Sequence, residues 1–258
     1  RPLRRNPAWG VEQVQFLNGG LAAVRRDESP AIASAEGVFL AVNGTVFQQD
    51  DLARRLEQAG RPVAPGAPLS RILLDLYLAF GREALSGLNG SYALAVWEEA
   101  PQRMTLINDR YGTGNLYYWL SAGRLVFASE YKAIVAHPDF SGSIDEVALA
   151  DFLLFKQVNA QRTFFDQICA APPASVLTFE QGRLHVEDHW NLPVGQYRRS
   201  FAQRAESTAE IVAEWAHHLE TAVRRQSFPD TCLLVTAGLD SRILAACFKQ
   251  VNPQMGLQ

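Results

Sequence analysis

The stretch from Leu233 to Arg242 restricts the fold more than any other part of the chain. It passes from apolar residues through a short turn of hydroxyl-bearing and small residues, which predicts a buried strand, a tight turn and the start of a helix. Backbone N–H groups at a helix N-terminus are unpaired, and the helix dipole favours an anion there. Thr236 and Ser241 add hydroxyl donors, and Asp240 could hold Mg²⁺ among phosphate oxygens. The pattern therefore predicts a site for a nucleoside triphosphate with Mg²⁺.

The same stretch has a purely structural interpretation. Any strand–helix connection of a parallel sheet can carry Thr236-Ala237-Gly238 as its turn, and short motifs often mislead. The stretch also lacks the Gly-Lys-Ser/Thr ending of a P-loop, so it does not predict kinase or GTPase chemistry. Parallel strands are covered on both faces, and few residues follow Ser241. We therefore expect that the full gene product is longer.

Composition excludes several classes of function. With 258 residues, 48% hydrophobic and 20% charged, the chain is typical of a soluble globular protein with one large or two smaller domains. A net charge of −3 and isolated arginine pairs argue against nucleic-acid binding. The sequence has no apolar run of about 18 residues, so no transmembrane helix is predicted. Three cysteines without a Cys-x-x-Cys pair suit the cytoplasm. No metal other than nucleotide-bound Mg²⁺ is predicted.

The hydrophobic pattern predicts a chain of strands and helices before this stretch. Residues 38–48 are predicted as two strands around an Asn43-Gly44 turn, and Gln181-Gly182 predicts a second hairpin turn. The other predicted strands lie near 91–97, 103–108, 115–119, 124–128, 174–179 and 183–187, and the predicted helices near 50–60, 70–80, 131–136 and 145–156.

The chain is predicted to hold two domains. Pro193, Gly195 and few apolar residues mark a linker over 193–203, which separates a first domain over 1–192 from a second over 204–258. The second domain is predicted to begin with an amphipathic helix over 204–226. Its apolar face carries Ile211, Trp215, His218, Leu219 and Val223.

Linked segments along most of the chain resemble the asparagine synthetase family in order and spacing. The segment 233–242 is similar to the Ser-Gly-Gly-x-Asp-Ser signature of ATP pyrophosphatases, the PP-loop enzymes. The other segments are 39–47 (FLAVNGTVF), 88–97 (LNGSYALAVW), 108–118 (NDRYGTGNLYY), 127–133 (FASEYKA) and the positions Pro172-Pro173-Ala174, Gly182 and His189-Trp190. Several linked motifs are far more specific than one. The resemblance extends from about residue 36 to about residue 245.

The resemblance implies an α+β fold. The first domain would be a class II glutamine amidotransferase of the Ntn-hydrolase type, with four αββα layers, followed by the first βα unit of an α/β ATP-binding domain. The ATP-binding residues would be Leu234, Val235, Thr236, Ala237, Gly238, Asp240 and Ser241, with Asp240 holding Mg²⁺ through the nucleotide. The cofactors would thus be ATP and Mg²⁺. The family includes β-lactam synthetases and lasso-peptide cyclases, so the resemblance does not name the substrate.

The chain departs from the family at the glutaminase residues. The family's nucleophile is an N-terminal cysteine, whereas this chain begins with Arg1 and has no cysteine before Cys169. Thr45 stands where the family carries a glutamine-binding Glu, and Leu69 where an Asp binds the glutamine amine. An ammonium group buried without a counter-charge costs several kcal/mol, roughly. Asn43 and Gly44 remain as remnants of the glutamine site.

The interpretation of Asn43-Gly44 and of Ala237 depends on the backbone conformation at these residues. Asn43 and Gly44 also form a favourable type I′ hairpin turn, and we favour this structural interpretation. Ala237 replaces a family glycine, which is tolerable at a negative φ and damaging at a positive one.

Three functions are consistent with these residues. The first is an asparagine synthetase-like, ATP-dependent amide-forming ligase with a degenerate amidotransferase domain. It would adenylate a small-molecule or peptide carboxylate for attack by an amine, without nucleic acid or membrane, and could form a homodimer. The first alternative is a non-catalytic scaffold or precursor-binding module. The second is an active glutamine-hydrolysing asparagine synthetase whose N-terminal cysteine is missing from this chain.

Overall fold

The computed structural model describes residues 9–25, 29–195, 207–227 and 231–253. The chain divides into two compact units, Arg1–Asn191 and Leu192–Gln258. Within the described ranges we find no helix with the length and hydropathy that a transmembrane span requires. The two units are described separately below.

The first unit is built on a six-stranded antiparallel sheet. The order across this sheet is β11-β10-β6-β5-β4-β3, so each strand pairs with an antiparallel neighbour. Its strands are β3 (Ile32–Ala35), β4 (Val38–Val46), β5 (Gly90–Glu98), β6 (Arg103–Asn108), β10 (Ser175–Glu180) and β11 (Arg183–Asp188). Side chains alternate between the two faces of each strand, and both faces of the central strands are apolar.

Three helices cover one face of this sheet. They are α1 (Gln49–Gln58), α2 (Leu69–Phe80) and α3 (Arg82–Ser86). Helix α2 contributes Leu73, Leu74 and Leu76, which are fully buried. They pack with Leu40 and Leu94 of the sheet in one continuous core, called here the helix-face core.

The opposite face of the six-stranded sheet packs against two smaller sheets. One is the hairpin of β1 (Gly10–Phe16) and β2 (Gly19–Arg25), and the other has the order β8-β7-β9. The strands of the latter are β7 (Tyr117–Ser121), β8 (Arg124–Ala128) and β9 (Cys169–Ala170). Leu21, Trp97, Leu106 and Leu177 lie in the core between these layers, called here the inter-sheet core.

Beyond the three-stranded sheet lies a fourth, thinner layer. Helix α4 (Lys132–Val135) buries Ile134 against Trp119 of β7. Helix α5 (Glu146–Phe155) follows and buries only Ala148. Helices, two layers of sheet and a second helical layer form the αββα arrangement that the family resemblance implies, so this part of the fold prediction is confirmed.

Most of the predicted elements of the first unit are present. The strands near 91–97, 103–108, 124–128, 174–179 and 183–187 match β5, β6, β8, β10 and β11 within one or two residues, and α1, α2 and α5 match their predicted helices. Gln181 and Gly182 have φ angles of 51° and 76° and connect the paired strands β10 and β11, as in a type I′ turn, so the hairpin turn predicted there is confirmed. Strands β1, β2, β3 and β9 and helix α3 were not predicted.

The second unit contains two described helices. Helix α6 (Thr208–Gln226) begins with a capping box, in which Glu210 N–H donates to the Ser207 hydroxyl at 3.3 Å and Ser207 N–H donates to the Glu210 carboxylate at 2.7 Å. Of its predicted apolar face only Val223 is buried, and Trp215 is 55% exposed. Helix α7 (Leu239–Val251) follows. Most of the predicted linker, 196–203, and the first predicted residues of α6, 204–206, lie outside the described residues.

Candidate functional site

Asn43 and Gly44 lie in the middle of a strand, so the hairpin-turn interpretation is wrong. Strand β4 continues through both residues, with Asn43 opposite Ala93 and Gly44 opposite Tyr92 of β5. Gly44 has a φ of 118°, and a Cβ atom there would lie 2.1 Å from the carbonyl oxygen of Ser91. The glycine is therefore required by the close approach of the β5 backbone, and not by a reversal of the chain.

Asn43 lines a cavity between the two layers of sheet. The cavity has a volume of about 590 Å³ and is bordered by β1, β2, β4, β5 and β8 and by Leu116, which directly precedes β7. Much of its wall consists of small apolar side chains, including Ala41, Ala93 and Ala95. The polar lining residues include Asn43, Ser129, Glu130 and His137. A mainly apolar space with a few polar groups is the usual form of a small-molecule site.

The positions where the family carries its two glutamine-binding acids offer no carboxylate here. Thr45 lies exposed on β4 opposite Ser91. Leu69 opens α2 and packs against the helix-face core, on the other side of the sheet from the cavity. Glu130, at the cavity wall, forms an ion pair with Lys132 at 2.7 Å. The cavity therefore has a carboxylate, but this carboxylate already has a cationic partner.

Asp109 organises the loop beside Gly44. Its side chain lies at the end of β6 and is only 2% exposed. It accepts the backbone N–H groups of Tyr92 at 3.1 Å, Tyr111 at 3.0 Å, Thr113 at 3.1 Å and Gly114 at 2.6 Å. The Thr113 hydroxyl lies 2.9 Å from this carboxylate and 2.8 Å from the hydroxyl of Ser91. One buried carboxylate thus joins the 111–114 loop to the strand that approaches Gly44.

The ionised form of Asp109 is favoured by these bonds. Burial raises the pKa of its carboxyl group, but the N–H groups of Gly114, Thr113 and Tyr111 and the Thr113 hydroxyl outweigh burial and hold the pKa below its usual value. The sequence analysis quoted Asp109 as part of a family segment without giving it a role. The available signal was an acid directly after an apolar strand and followed by Gly112 and Gly114.

Asn108, the neighbouring residue, ties the end of the first unit together. It is 1% exposed, donates from Nδ2 to the carbonyl oxygen of Pro172 at 2.7 Å and accepts the N–H of Ser175 at 2.8 Å. His189 Nε2 lies 2.9 Å from the carbonyl oxygen of Asn108. The segments around Pro172 and His189, both quoted for the family resemblance, therefore meet at one buried residue, Asn108, through its side chain and its backbone.

The turn before α7 is held by its own hydroxyl groups. Thr236 N–H donates to Ser241 Oγ at 3.0 Å, and Gly238 N–H donates to Thr236 Oγ1 at 3.3 Å. The Ser241 hydroxyl also lies 3.0 Å from the carbonyl oxygen of Thr236 and 3.2 Å from that of Gly238. These hydroxyls, predicted as phosphate donors, fix the shape of the turn in this structure. Ala237 does not adopt a positive φ, so the condition for tolerating alanine there is met.

The N-terminus of α7 is chemically suited to an anion. Gly238 occupies the N-cap position and no side chain caps the helix, which leaves first-turn N–H groups without an intrahelical partner. Asp240 lies exposed in the first turn. Within the described part of the chain, no cluster of three or more His, Cys, Asp or Glu residues could form a metal site of protein ligands alone. The residues present therefore fit Mg²⁺ only when phosphate oxygens supply most of its ligands.

The strand predicted before this turn is absent. Residues 231–236 form no strand among the described residues, and Leu234 and Val235 are 85% and 42% exposed. A parallel strand requires hydrogen-bonded neighbours and cover on both faces. None of the described residues pairs with this segment, and its apolar side chains alone do not make it a strand.

Comparisons with known proteins agree on the first unit. A family model described as a glutamine amidotransferase domain matches residues 8–190. The glutamine-hydrolysing asparagine synthetase 3 of Bacillus subtilis (strain 168) is 28% identical over 92% of this chain and 39% of its own length. The carboxyethyl-arginine beta-lactam-synthase of Streptomyces clavuligerus is 26% identical over 79% of this chain and 36% of its own length. The chain thus spans less than two fifths of these relatives.

A similar structure also comes from an amidotransferase. Glutamine phosphoribosylpyrophosphate amidotransferase from B. subtilis, solved with ADP and GMP, aligns with 91% of this chain and 50% of its own. The identity is 16% and the TM-score is 0.47.

Proposed function

The chain belongs to the glutamine amidotransferase domain family, and from that premise we propose that it serves an ATP-dependent carbon–nitrogen ligase of the asparagine synthetase kind. The observation that carries this proposal is the 236–241 turn. An uncapped N-terminus of a 13-residue helix follows a turn whose backbone is held by Thr236 and Ser241. Both the asparagine synthetase and the beta-lactam synthase relatives match most of the chain.

In the proposed reaction the turn holds the phosphates of ATP. The N–H groups at the start of α7 are available for an anion, and the helix dipole adds favourable potential. The exposed Asp240 carboxylate would hold Mg²⁺ together with oxygens of the bound phosphates. Bound ATP would supply the α-phosphorus as the electrophile: a carboxylate oxygen of the substrate would bond to it as the bond to pyrophosphate breaks, and an amine would then displace AMP from the acyl-adenylate. Small-molecule and peptide carboxylates and amines are the proposed substrate classes.

We further propose that the first unit does not hydrolyse glutamine. Thr45 stands where the family carries its glutamine-binding Glu, and position 69 supplies no acid to the cavity, because Leu69 lies on the other face of the sheet. Glu130 is paired with Lys132, and Leu69 packs in the helix-face core. Free ammonia, or an amine of the substrate itself, would then be the nucleophile.

ATP–pyrophosphate exchange by the full protein from its native source, with a panel of carboxylates, tests the ligase proposal. Asp240→Asn should lower exchange by about a hundredfold, since a metal-bearing carboxylate acts on the charge that develops at phosphorus. The matched control is Asp50→Asn, which changes an exposed acid in the first turn of α1 and should leave exchange unchanged. An Asp240→Asn protein with full exchange would contradict the role of this turn.

One observation favours a second function, glutamine hydrolysis. Asn43 lines a cavity of ligand size, and Gly44 is held in mid-strand beside it. Release of glutamate from glutamine, abolished by Asn43→Ala, would support this function and refute the degeneracy of the site. A protein without either activity would support the scaffold function.

A further inference from the structure

A second cavity lies on the other face of the six-stranded sheet, under the junction of α2 and α3. Its volume is about 470 Å³. At this end of the sheet the helix-face core gives way to polar side chains. The lining residues contributed by the strands include Glu98, Arg103, Thr105 and Thr178, and those from the helices include Tyr77 and Arg82. Because burying a polar group without a hydrogen-bond partner costs free energy, the polar side chains beside this apolar core should each have a partner.

Glu98 and Arg103 form the floor of this cavity. They are opposite one another in the β5–β6 hairpin. Arg103 donates from Nε at 2.6 Å and from Nη2 at 3.0 Å to the two carboxylate oxygens of Glu98. Burial, followed by the charge of Glu98, raises the pKa of the Tyr77 hydroxyl to about 12, so this hydroxyl keeps its proton. The Nη1 side of the Arg103 guanidinium lies outside the bidentate pair.

Thr178 supplies a polar atom without a partner. It lies opposite Thr105 in the β10–β6 ladder. Its hydroxyl oxygen is buried and has no hydrogen-bond partner in the structure. Buried hydroxyls in native proteins nearly always bond to protein or to ordered solvent or ligand.

Arg82 stands at the rim. Its side chain is 44% exposed and forms ion pairs with Glu187 and Glu83. The cavity wall therefore carries two guanidinium groups and one carboxylate, and both oxygens of that carboxylate are already used. Because Arg82 is paired with Glu187 and Glu83, the polar groups of the wall that remain for a ligand are the Nη1 side of Arg103 and the Thr178 hydroxyl. Both can donate a hydrogen bond, so together they are complementary to an anion.

From these contacts we propose that the cavity between α2, α3 and the β5–β6 hairpin binds a small carboxylate-bearing molecule, with Arg103 and Thr178 as its ligands. The site lies on the helix face of the sheet, whereas Asn43 lines the inter-sheet cavity on the opposite face. It is therefore separate from the glutamine position and does not depend on the ligase proposal. Guanidinium is the group that best matches the planar carboxylate.

Titration calorimetry of the full chain with sodium succinate tests the proposal, with neutral succinamide as the comparison. Succinate should bind saturably and succinamide should not. Thr178→Val should raise the Kd several-fold, and Arg103→Gln should raise it about tenfold or more, as loss of a charge-assisted hydrogen bond does. Arg71→Gln is the matched control, because Arg71 forms a similar bidentate pair with Asp75 outside this cavity and should leave the Kd unchanged.

Removing Arg103 alone leaves Glu98 unpaired and could unfold the chain. The double variant Glu98→Gln with Arg103→Gln removes both charges together and should fold without binding succinate. A crystal soaked in succinate should place a carboxylate against Arg103 and Thr178. No saturable binding, equal affinity in the double variant, or only a water molecule on Thr178 would overturn the proposal.

Discussion

Gly44 and Asp109 both contact the backbone of β5 at Ser91 and Tyr92. Gly44 lets the β5 backbone come within reach of β4, since a side chain there would meet Ser91. Asp109 binds the N–H of Tyr92, the next residue of β5. The backbone at residues 91 and 92 therefore has two constraints. Gly44 allows β4 to lie close to it because glycine has no side chain, and the buried Asp109 carboxylate binds one of its N–H groups.

Gly44→Ala should destabilise the first unit by about 3 kcal/mol or more, because the strands must separate to admit the methyl group. Gly60→Ala is its control. Gly60 also has a positive φ, 75°, but nothing lies within 4 Å of its Cβ position, so this change should cost only about 1–2 kcal/mol. Urea unfolding measures both. Equal losses would show that φ, and not close approach, sets the cost.

Asp109→Asn should cost about 2–4 kcal/mol, since an amide cannot accept all the donors that converge on the carboxylate. Asp166→Asn is the control, because Asp166 accepts similar bonds from Ser143 but is exposed. Its cost should stay below about 1 kcal/mol. Chemical unfolding of both variants at neutral pH gives the comparison.

The contribution of Asp109 should also depend on pH. Its folded pKa is lowered, so its ionisation stabilises the fold fully above the unfolded pKa of about 3.9. That stability is lost as the pH falls below about 3.9 and through the folded pKa. The difference in unfolding midpoint between wild type and Asp109→Asn should therefore shrink as the pH falls below about 4. A constant difference would contradict this role.

Asn43 and Gly44 show what could and could not be predicted from the sequence. Asn43-Gly44 has the composition of a hairpin turn, and local propensity favoured that interpretation. The competing requirement comes from Ser91, nearly fifty positions away, and no local pattern contains it. Asn43 lines the inter-sheet cavity, and its place there depends on the pairing between β4 and β5.

At the scale of elements, α2 and α5 are both apolar helices with opposite surroundings. Helix α2 buries residues along several turns, including Leu73, Leu74 and Leu76. Helix α5 buries only Ala148, and Leu154 is 75% exposed. Apolar composition predicted both helices well, but it could not tell which one would be covered.

Leu74→Ala in α2 should cost about 2–5 kcal/mol through the cavity it creates. Leu154→Lys in α5 should change the unfolding free energy by less than about 0.5 kcal/mol, because the lysine remains in water. Thermal and urea unfolding of the two variants distinguish the helices. A large loss with Leu154→Lys would mean that the exposed face of α5 is covered in solution.

Strands were harder to predict than helices where the partner was distant or missing. The segment from Leu233 to Val235 is as apolar as β6, but β6 lies between β5 and β10. Residues 231–236 pair with none of the described residues and form no strand. Hydrophobicity predicts a strand only when hydrogen-bonded neighbours are available to complete it.

For the molecule as a whole, the four-layer fold was predictable because linked family segments cover its central strands. The hydrophobic cores between the layers agree with this arrangement. The helix-face core, the inter-sheet core and the outer cluster around Trp119 all consist of residues of the first unit. The polar cavity at Arg103 was not predictable, since it depends on where α2 and α3 end over the sheet.

Because these cores are self-contained, the fragment 1–191 should fold on its own. Calorimetry of this fragment should show one cooperative transition, with a heat-capacity change of about 12–15 cal/mol/K per residue. Gly44→Ala and Leu74→Ala should destabilise the fragment as much as they destabilise the full chain, since the described neighbours of both residues lie in the first unit. A fragment with a broad, non-cooperative transition, or with altered costs for these two variants, would mean that residues after 191 contribute to the first unit's core.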